Sequence, residues 1–210
     1  MKTTHKYHDV SHPFQNFNFH SSVKIFPPLA SVAVFLIGAL IVAGWVFNIP
    51  ALKTIFPNAF PMSALSGVFF LLSGLSLGFF YVPWSPLRER VGRALGFVIF
   101  LGALTKICEY WLDWKLESDR LLTGKMENVM APNTAVNFVM TGMALMLLKT
   151  DRWKIQNLFS VIFTAVAAVL SFLAIFGHFQ HFAPFFLLGF PIPMSEITAV
   201  TFLILSLGSI

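Results

Sequence analysis

Six apolar runs divide this chain of 210 residues, separated by polar, charged or proline-rich stretches. Runs of about 20 apolar residues can cross the ~30 Å hydrocarbon core of a bilayer as helices. The first covers 29–47, after the helix-breaking pair Pro27-Pro28. The second covers 63–82 and stops at Pro83; the third, fourth and fifth cover 91–111, 133–148 and 155–176. The sixth starts near Ser195 and is still apolar at Ile210, with nothing polar to anchor its far end. It reads as a helix cut off where a longer protein would continue into the cytoplasm.

A second pattern lies over the first. Met62-Ser63-Ala64-Leu65-Ser66-Gly67-Val68-Phe69-Phe70 returns as Met130-Ala131-Pro132-Asn133-Thr134-Ala135-Val136-Asn137-Phe138, and again as Met194-Ser195-Glu196-Ile197-Thr198-Ala199-Val200-Thr201-Phe202. The template is Met, three residues, Ser or Thr, a small residue, Val, any residue, Phe. A glycine follows in the first two copies, Gly74 and Gly142, and Gly38-Ala39-Leu40 answers Gly102-Ala103-Leu104 in the preceding helices. The expected fold is therefore an all-α polytopic membrane protein: six transmembrane helices as three tandem two-helix repeats. Each unit crosses out and back, so the repeats are parallel, related by an axis along the membrane normal. Ser66, Gly67, Thr134, Ala135, Thr198 and Ala199 let helix backbones approach closely. These faces are expected inward, with Phe and Leu toward lipid. Ser63 and Asn133 suit helix N-caps.

Composition strengthens the membrane reading. The chain is 57% hydrophobic and 11% charged, where soluble domains carry about a quarter charged residues. A soluble fold of this size would leave roughly 30% of its surface exposed and could not hide so much apolar area. The stretch 1–22 is polar and lacks the apolar core and small-residue cleavage site of a signal peptide. Residues 1–24 are expected to be a disordered cytoplasmic tail and 25–210 the membrane domain. A single cysteine, Cys108, excludes an internal disulfide. The net charge of +5 comes from basic residues beside apolar segments, so nucleic acid is not an expected partner.

Charge also orients the chain. Lys2, Lys6, Lys24, Arg88, Arg90, Arg93, Lys149, Arg152 and Lys154 fall on one side. Lys53, Lys115, Arg120 and Lys125 fall on the other, diluted by Asp113, Glu117, Asp119 and Glu127. The positive-inside rule makes the first side cytoplasmic, so both termini are expected there, in a bacterial inner membrane. The outer loops 48–61 and 181–193 are rich in Pro and Phe and suit the headgroup interface, whereas 112–130 holds four of the nine acidic residues. Trp45, Trp84, Trp111, Trp114 and Trp153 all fall near expected interfaces, as anchors do.

Pro50-Ala51-Leu52-Lys53 leading to a Met-headed helix resembles the first repeat of the N-terminal multi-span membrane sensor region of bacterial sensor histidine kinases and diguanylate cyclases. Ser118-Asp119-Arg120-Leu121-Leu122 followed by Met130-Ala131-Pro132-Asn133-Thr134-Ala135 resembles its second repeat, and Met194 through Leu207 its third. The resemblance covers nearly everything beyond the tail. The Asn-Thr-Ala element is intact only in the middle copy; the first has Leu65-Ser66-Gly67 instead. In that family the region precedes cytoplasmic output modules, so the resemblance implies a sensory or regulatory domain whose output module is absent from this chain.

Soluble-enzyme signatures are missing: there is no phosphate-cradling glycine loop, zinc spacing or nucleophile elbow. The chain is not read as an enzyme, and no cofactor is expected. Ionisable residues inside a span are the default functional candidates, because each costs roughly 2.5–3.5 kcal/mol at a helix centre. Lys106, Glu109, Tyr110 and Asp113 recur at i, i+3, i+4 and i+7 on one face of the third helix, where the first repeat has Val42 and Trp45 at the positions of Lys106 and Glu109. With Asn133 and Thr134 at the start of the fourth helix they form the candidate ligand site, expected to hold Lys106 and Glu109 inside the bundle under the acidic loop. The plainer alternative is a lysine that snorkels outward and pairs with Glu109 near the interface. His178 and His181, three apart at the outer end of the fifth helix, are the weak metal or haem candidates; hydrogen bonding to water and headgroups is the plainer role. His5, His8, His12 and His20 belong to the tail.

These features lead to a sensory domain that passes a signal through its sixth helix. The expected partners are the lipid bilayer, a second copy of the chain and a cytoplasmic kinase or cyclase module. A small transporter or channel is the alternative, and it predicts broken helices or a polar path through the midplane.

Overall fold

The computed structural model describes residues 19–54, 61–81, 86–112, 119, 129–148, 154–179 and 194–210. All regular elements among them are helices: α1 Phe19–Val46, α2 Pro50–Lys53, α3 Ala64–Tyr81, α4 Pro86–Trp111, α5 Pro132–Leu147, α6 Lys154–Phe179 and α7 Glu196–Ser209. Four are long and apolar enough to cross a membrane, over Ile25–Val46, Ala64–Tyr81, Leu87–Trp111 and Gln156–Phe179. The fourth and sixth apolar runs form shorter helices, α5 of 16 residues and α7 of 14. At 1.5 Å per residue these reach about 24 and 21 Å.

Neighbours in sequence are neighbours in space. α1 packs on α3, α3 on α4, α4 on α5, α5 on α6, α6 on α7, and α7 closes back onto α1. Inside this ring α3, α5 and α7 also touch one another. Accordingly only about a third of α1, and less of α4 and α6, is buried, against 61% of α3. The exposed faces of the outer helices carry Leu36, Leu40, Phe97, Leu101, Phe172 and their like. An apolar face of that extent needs lipid rather than water as its solvent.

The template residues decide the centre. Phe70, Phe138 and Phe202 are each fully buried and pack together, ring centroids 4.8, 4.7 and 4.6 Å apart. These phenylalanines therefore face inward, not toward lipid as the sequence leads one to expect. Three helices that touch on a common line leave a gap that only a large side chain from each can fill. The glycine one turn further serves the outward contact. A Cβ on Gly74 would lie 2.6 Å from the Phe35 nitrogen of α1, and one on Gly142 would lie 2.8 Å from the Phe100 nitrogen of α4. Any side chain there would push the two helices apart.

Two local expectations are corrected. α1 does not begin after Pro27-Pro28 but runs through them from Phe19, taking in the last residues of the expected tail. The two missing N–H groups cost bonds only to carbonyls one turn earlier, near the helix end where water or headgroups reach them. The N-cap of α5 is Ala131, not Asn133, because Pro132 takes the first helical position, where a missing N–H costs nothing. Ser63 does cap α3, its Oγ accepting from the Ser66 N–H at 3.1 Å, and Ser195 caps α7 in the same way. α1 ends with Asn48 in the left-handed region (φ 52°), with Ile49 N–H donating to Gly44 O and Asn48 N–H to Trp45 O. That is a Schellman ending, and asparagine tolerates its backbone better than most residues.

Candidate functional site

Each template methionine is buried, and each offers its carbonyl to a side chain from the end of the preceding outer helix. Trp45 Nε1 donates to Met62 O at 3.0 Å, Tyr110 Oη to Met130 O at 2.6 Å, and His178 Nε2 bonds Met194 O at 2.8 Å. A carbonyl can only accept, so His178 carries its proton on Nε2. Trp45 thus ties α1 to the start of α3 in addition to any anchoring role, while Trp111 is 76% exposed, as an anchor would be. Trp84, Trp114 and Trp153 lie outside the described residues.

The second of these helix ends differs from the others in charge. Lys106, Glu109 and Tyr110 share one face of the last turns of α4, and that face turns into the protein. Lys106 Nζ lies 2.6 Å from Glu109 Oε2 and also makes an ion pair with Asp119 Oδ2. The side chains of all three are nine-tenths or more buried. The Met130 N–H donates to Asp119 Oδ1 at 3.3 Å, and the lysine ammonium sits 5.5 Å from the centre of the Tyr110 ring. Asp119 is thereby linked to α4 through Lys106 and to the start of α5 through Met130. Burial pushes the Asp119 carboxyl above its ordinary range; the nearby Glu109 charge adds to the shift, and the Lys106 and Met130 contacts oppose it.

Lys106 and Glu109 therefore point inward, as the candidate site requires. Asn133 and Thr134 are buried at the start of α5, with the Thr134 N–H donating to Asn133 Oδ1 at 2.9 Å. Tyr110 spends its hydroxyl on the Met130 carbonyl. Asp113 lies outside the described residues, as does most of the acidic loop expected to roof a pocket here. Asp119 has no site role in the sequence reading, which seeks partners for Lys106 in α5. The signal that could have found it is its place in the Asp-Arg-Leu-Leu motif eleven residues before Met130.

The third helix end places His178 Nδ1 3.8 Å from Glu196 Oε1, beside a cavity of about 320 Å³ lined by Ile175, His178, Phe179, Glu196 and Val200. His181 lies outside the described residues. Among the described residues no three His, Cys, Asp or Glu side chains gather as metal ligands would.

One polar seam runs between α5 and α6. Ser160 Oγ donates to Ala144 O at 2.9 Å and Asn137 Nδ2 to Ser171 Oγ at 3.2 Å, while Asn137 Oδ1 and Thr164 Oγ1 are buried with no hydrogen-bond partner among the described residues. Compared with known protein families, with curated proteins and with solved structures, the chain matches none.

Proposed function

We propose that this chain is a membrane-embedded sensory domain, built of three parallel two-helix repeats that cross the bilayer six times with both termini in the cytoplasm. The repeat reading is supported by the shared centre at Phe70, Phe138 and Phe202 and by the three bonded methionine carbonyls. The six-span reading needs α5 and α7 to cross despite their length. Their enclosure in the ring favours it, since neighbouring helices shield short ends from the hydrocarbon.

One observation carries the sensory reading: the buried, charged Lys106–Glu109–Asp119 cluster beside a largely apolar core. Packing alone does not demand it, because the first hairpin manages with Val42 and Trp45 at the matching positions. Buried ion pairs are weak contributors to stability and common carriers of function in membranes. A stimulus acting on Asp119 would be felt at once by α4 and by α5, and from there through the central phenylalanines by α7. The output is a kinase or cyclase module joined to α7.

The test is a fusion of a diguanylate cyclase module after Ile210, with cyclic dinucleotide measured in cells. Glu109→Gln and Lys106→Gln should each change output several-fold at equal membrane abundance; output that ignores both rejects the sensory reading. Reporter fusions after Lys125 and after Lys154 should report opposite compartments, and agreement between them removes the six-span arrangement. The second reading, a small transporter, draws on Asn137 Oδ1 and Thr164 Oγ1, which are buried with no hydrogen-bond partner among the described residues. It requires solute flux in proteoliposomes that Asn137→Leu abolishes.

A further inference from the structure

The third bond to a methionine carbonyl has a chemistry that its mechanical task does not call for. Trp45 and His178 each hold such a carbonyl, but an indole has one polar atom and an imidazole two. With Nε2–H given to Met194 O, the neutral ring presents Nδ1 as an acceptor, 3.8 Å from Glu196 Oε1. That is beyond a direct hydrogen bond. Two acceptors so placed can share one donor, since a nitrogen about 2.8 Å from each fits between them.

Glu196 is likewise not demanded by the fold. The other template copies have Ala64 and Pro132 at its position, and Ser195 already caps α7. The helix dipole favours a carboxylate in this first turn, but it does not direct one at a histidine of α6. Both groups line the cavity of about 320 Å³, with Ile175, Phe179 and Val200 as its other walls among the described residues. Residues 180–193, which join α6 to α7, lie outside the described residues. Apolar walls with a few convergent polar groups are how small-molecule pockets are built, and this volume is at their lower end.

The polar groups select the ligand. A carboxylate repels anions. A metal ion asks for more ligands than these two, and among the described residues no third His, Cys, Asp or Glu joins them. A primary ammonium matches the carboxylate's charge and has three donors, enough to serve both acceptors at once. We propose that this cavity binds a primary amine in its ammonium form, carried on a small apolar body. The nitrogen donates to Glu196 and to His178 Nδ1, and the body lies against Ile175, Phe179 and Val200. A soluble amine and the headgroup of phosphatidylethanolamine offer the same group. Bound there, it links the end of α6 to the first turn of α7, the helix that carries the signal out. That the amine is a stimulus rests on the sensory reading; the site itself does not.

The probe is radiolabelled phenethylamine, protonated at neutral pH and titrated onto the full chain in phosphatidylglycerol nanodiscs, with empty nanodiscs subtracted. Saturable binding is expected, and 2-phenylethanol, of similar shape without the charge, should not compete. Glu196→Gln should weaken binding about tenfold or more, as loss of a charged hydrogen-bond partner does. Val200→Trp should abolish it by filling the cavity; Val200 is 42% exposed, so the larger side chain should leave the melting temperature unchanged. No saturable binding, binding that survives both substitutions, or equal competition by 2-phenylethanol overturns the proposal. Nanodiscs containing phosphatidylethanolamine distinguish the source: weakened phenethylamine binding there identifies the lipid headgroup as the occupant, and unchanged binding a soluble amine. The cyclase fusion separates the site from the sensory reading. Amine binding without a change in output leaves the site standing and removes it from signalling. Output that responds to Glu109→Gln and Lys106→Gln while no amine binds does the reverse.

Discussion

The end of α1 that meets Met62 and the end of α4 that meets Met130 do the same mechanical task with opposite chemistry. In the first, Trp45 Nε1 closes onto the Met62 carbonyl and Lys53 stays at the surface, bonded to Asn48 Oδ1 at 2.8 Å and lying 4.1 Å from the Trp45 ring centre. In the second, Tyr110 closes onto Met130, and the lysine is moved into the protein with two carboxylates around it. The lesson is that closing a hairpin needs one donor for one carbonyl and no charge at all. Whatever the charges at the second end are for, they are not needed to hold a helix pair together.

Replacing Lys106 by Met should break that contrast most severely. It removes the ammonium that Glu109 and Asp119 share, a change that costs about 3–5 kcal/mol where one partner of a buried pair is removed. Thermal or denaturant unfolding of the purified chain reads it, and a loss below 1 kcal/mol would mean the cluster is hydrated rather than buried. Next come the donors. Tyr110→Phe and Trp45→Phe each orphan a methionine carbonyl at a helix start and should each cost about 1–2 kcal/mol. Similar losses would establish the two bonds as equivalents, whereas a much larger effect of Tyr110→Phe would mean that it also organises the charged cluster.

The pH dependence of stability is a smaller effect with a definite sign. The folded-state pKa of Asp119 lies above its ordinary value, so the folded protein holds a proton that the unfolded chain gives up. The stabilisation from that proton is complete below the ordinary carboxyl pKa and is lost as pH rises through the raised one. The melting temperature of the wild type should thus fall across this window, and that of Asp119→Asn should stay level. The first hairpin end has no acidic residue and adds nothing to the slope. Smallest of all, Lys53→Met at the surface should change stability by less than about 0.5 kcal/mol, several-fold less than Lys106→Met.

The amino-acid sequence on its own determined that the chain is helical and suited to a membrane, and where its helices lie to within a few residues at most ends. Run length, proline position and caps are local properties, and Ser63, Pro132 and Asn48 act within a turn of their own position. It also marked Lys106 and Glu109, because a charge in an apolar run stands out against its neighbours. Tertiary structure alone decided that Phe70, Phe138 and Phe202 turn inward, that Asp119 meets Lys106, and that Trp45, Tyr110 and His178 bond the three methionine carbonyls. It also carried α1 through Pro27 and Pro28. The reason is that a membrane protein's interior and its lipid surface are equally apolar, so hydrophobicity cannot say which way a phenylalanine faces. Only the packing of short helices within a ring of longer ones settles that. The partner of a buried charge is likewise set by which distant backbone the fold brings beside it.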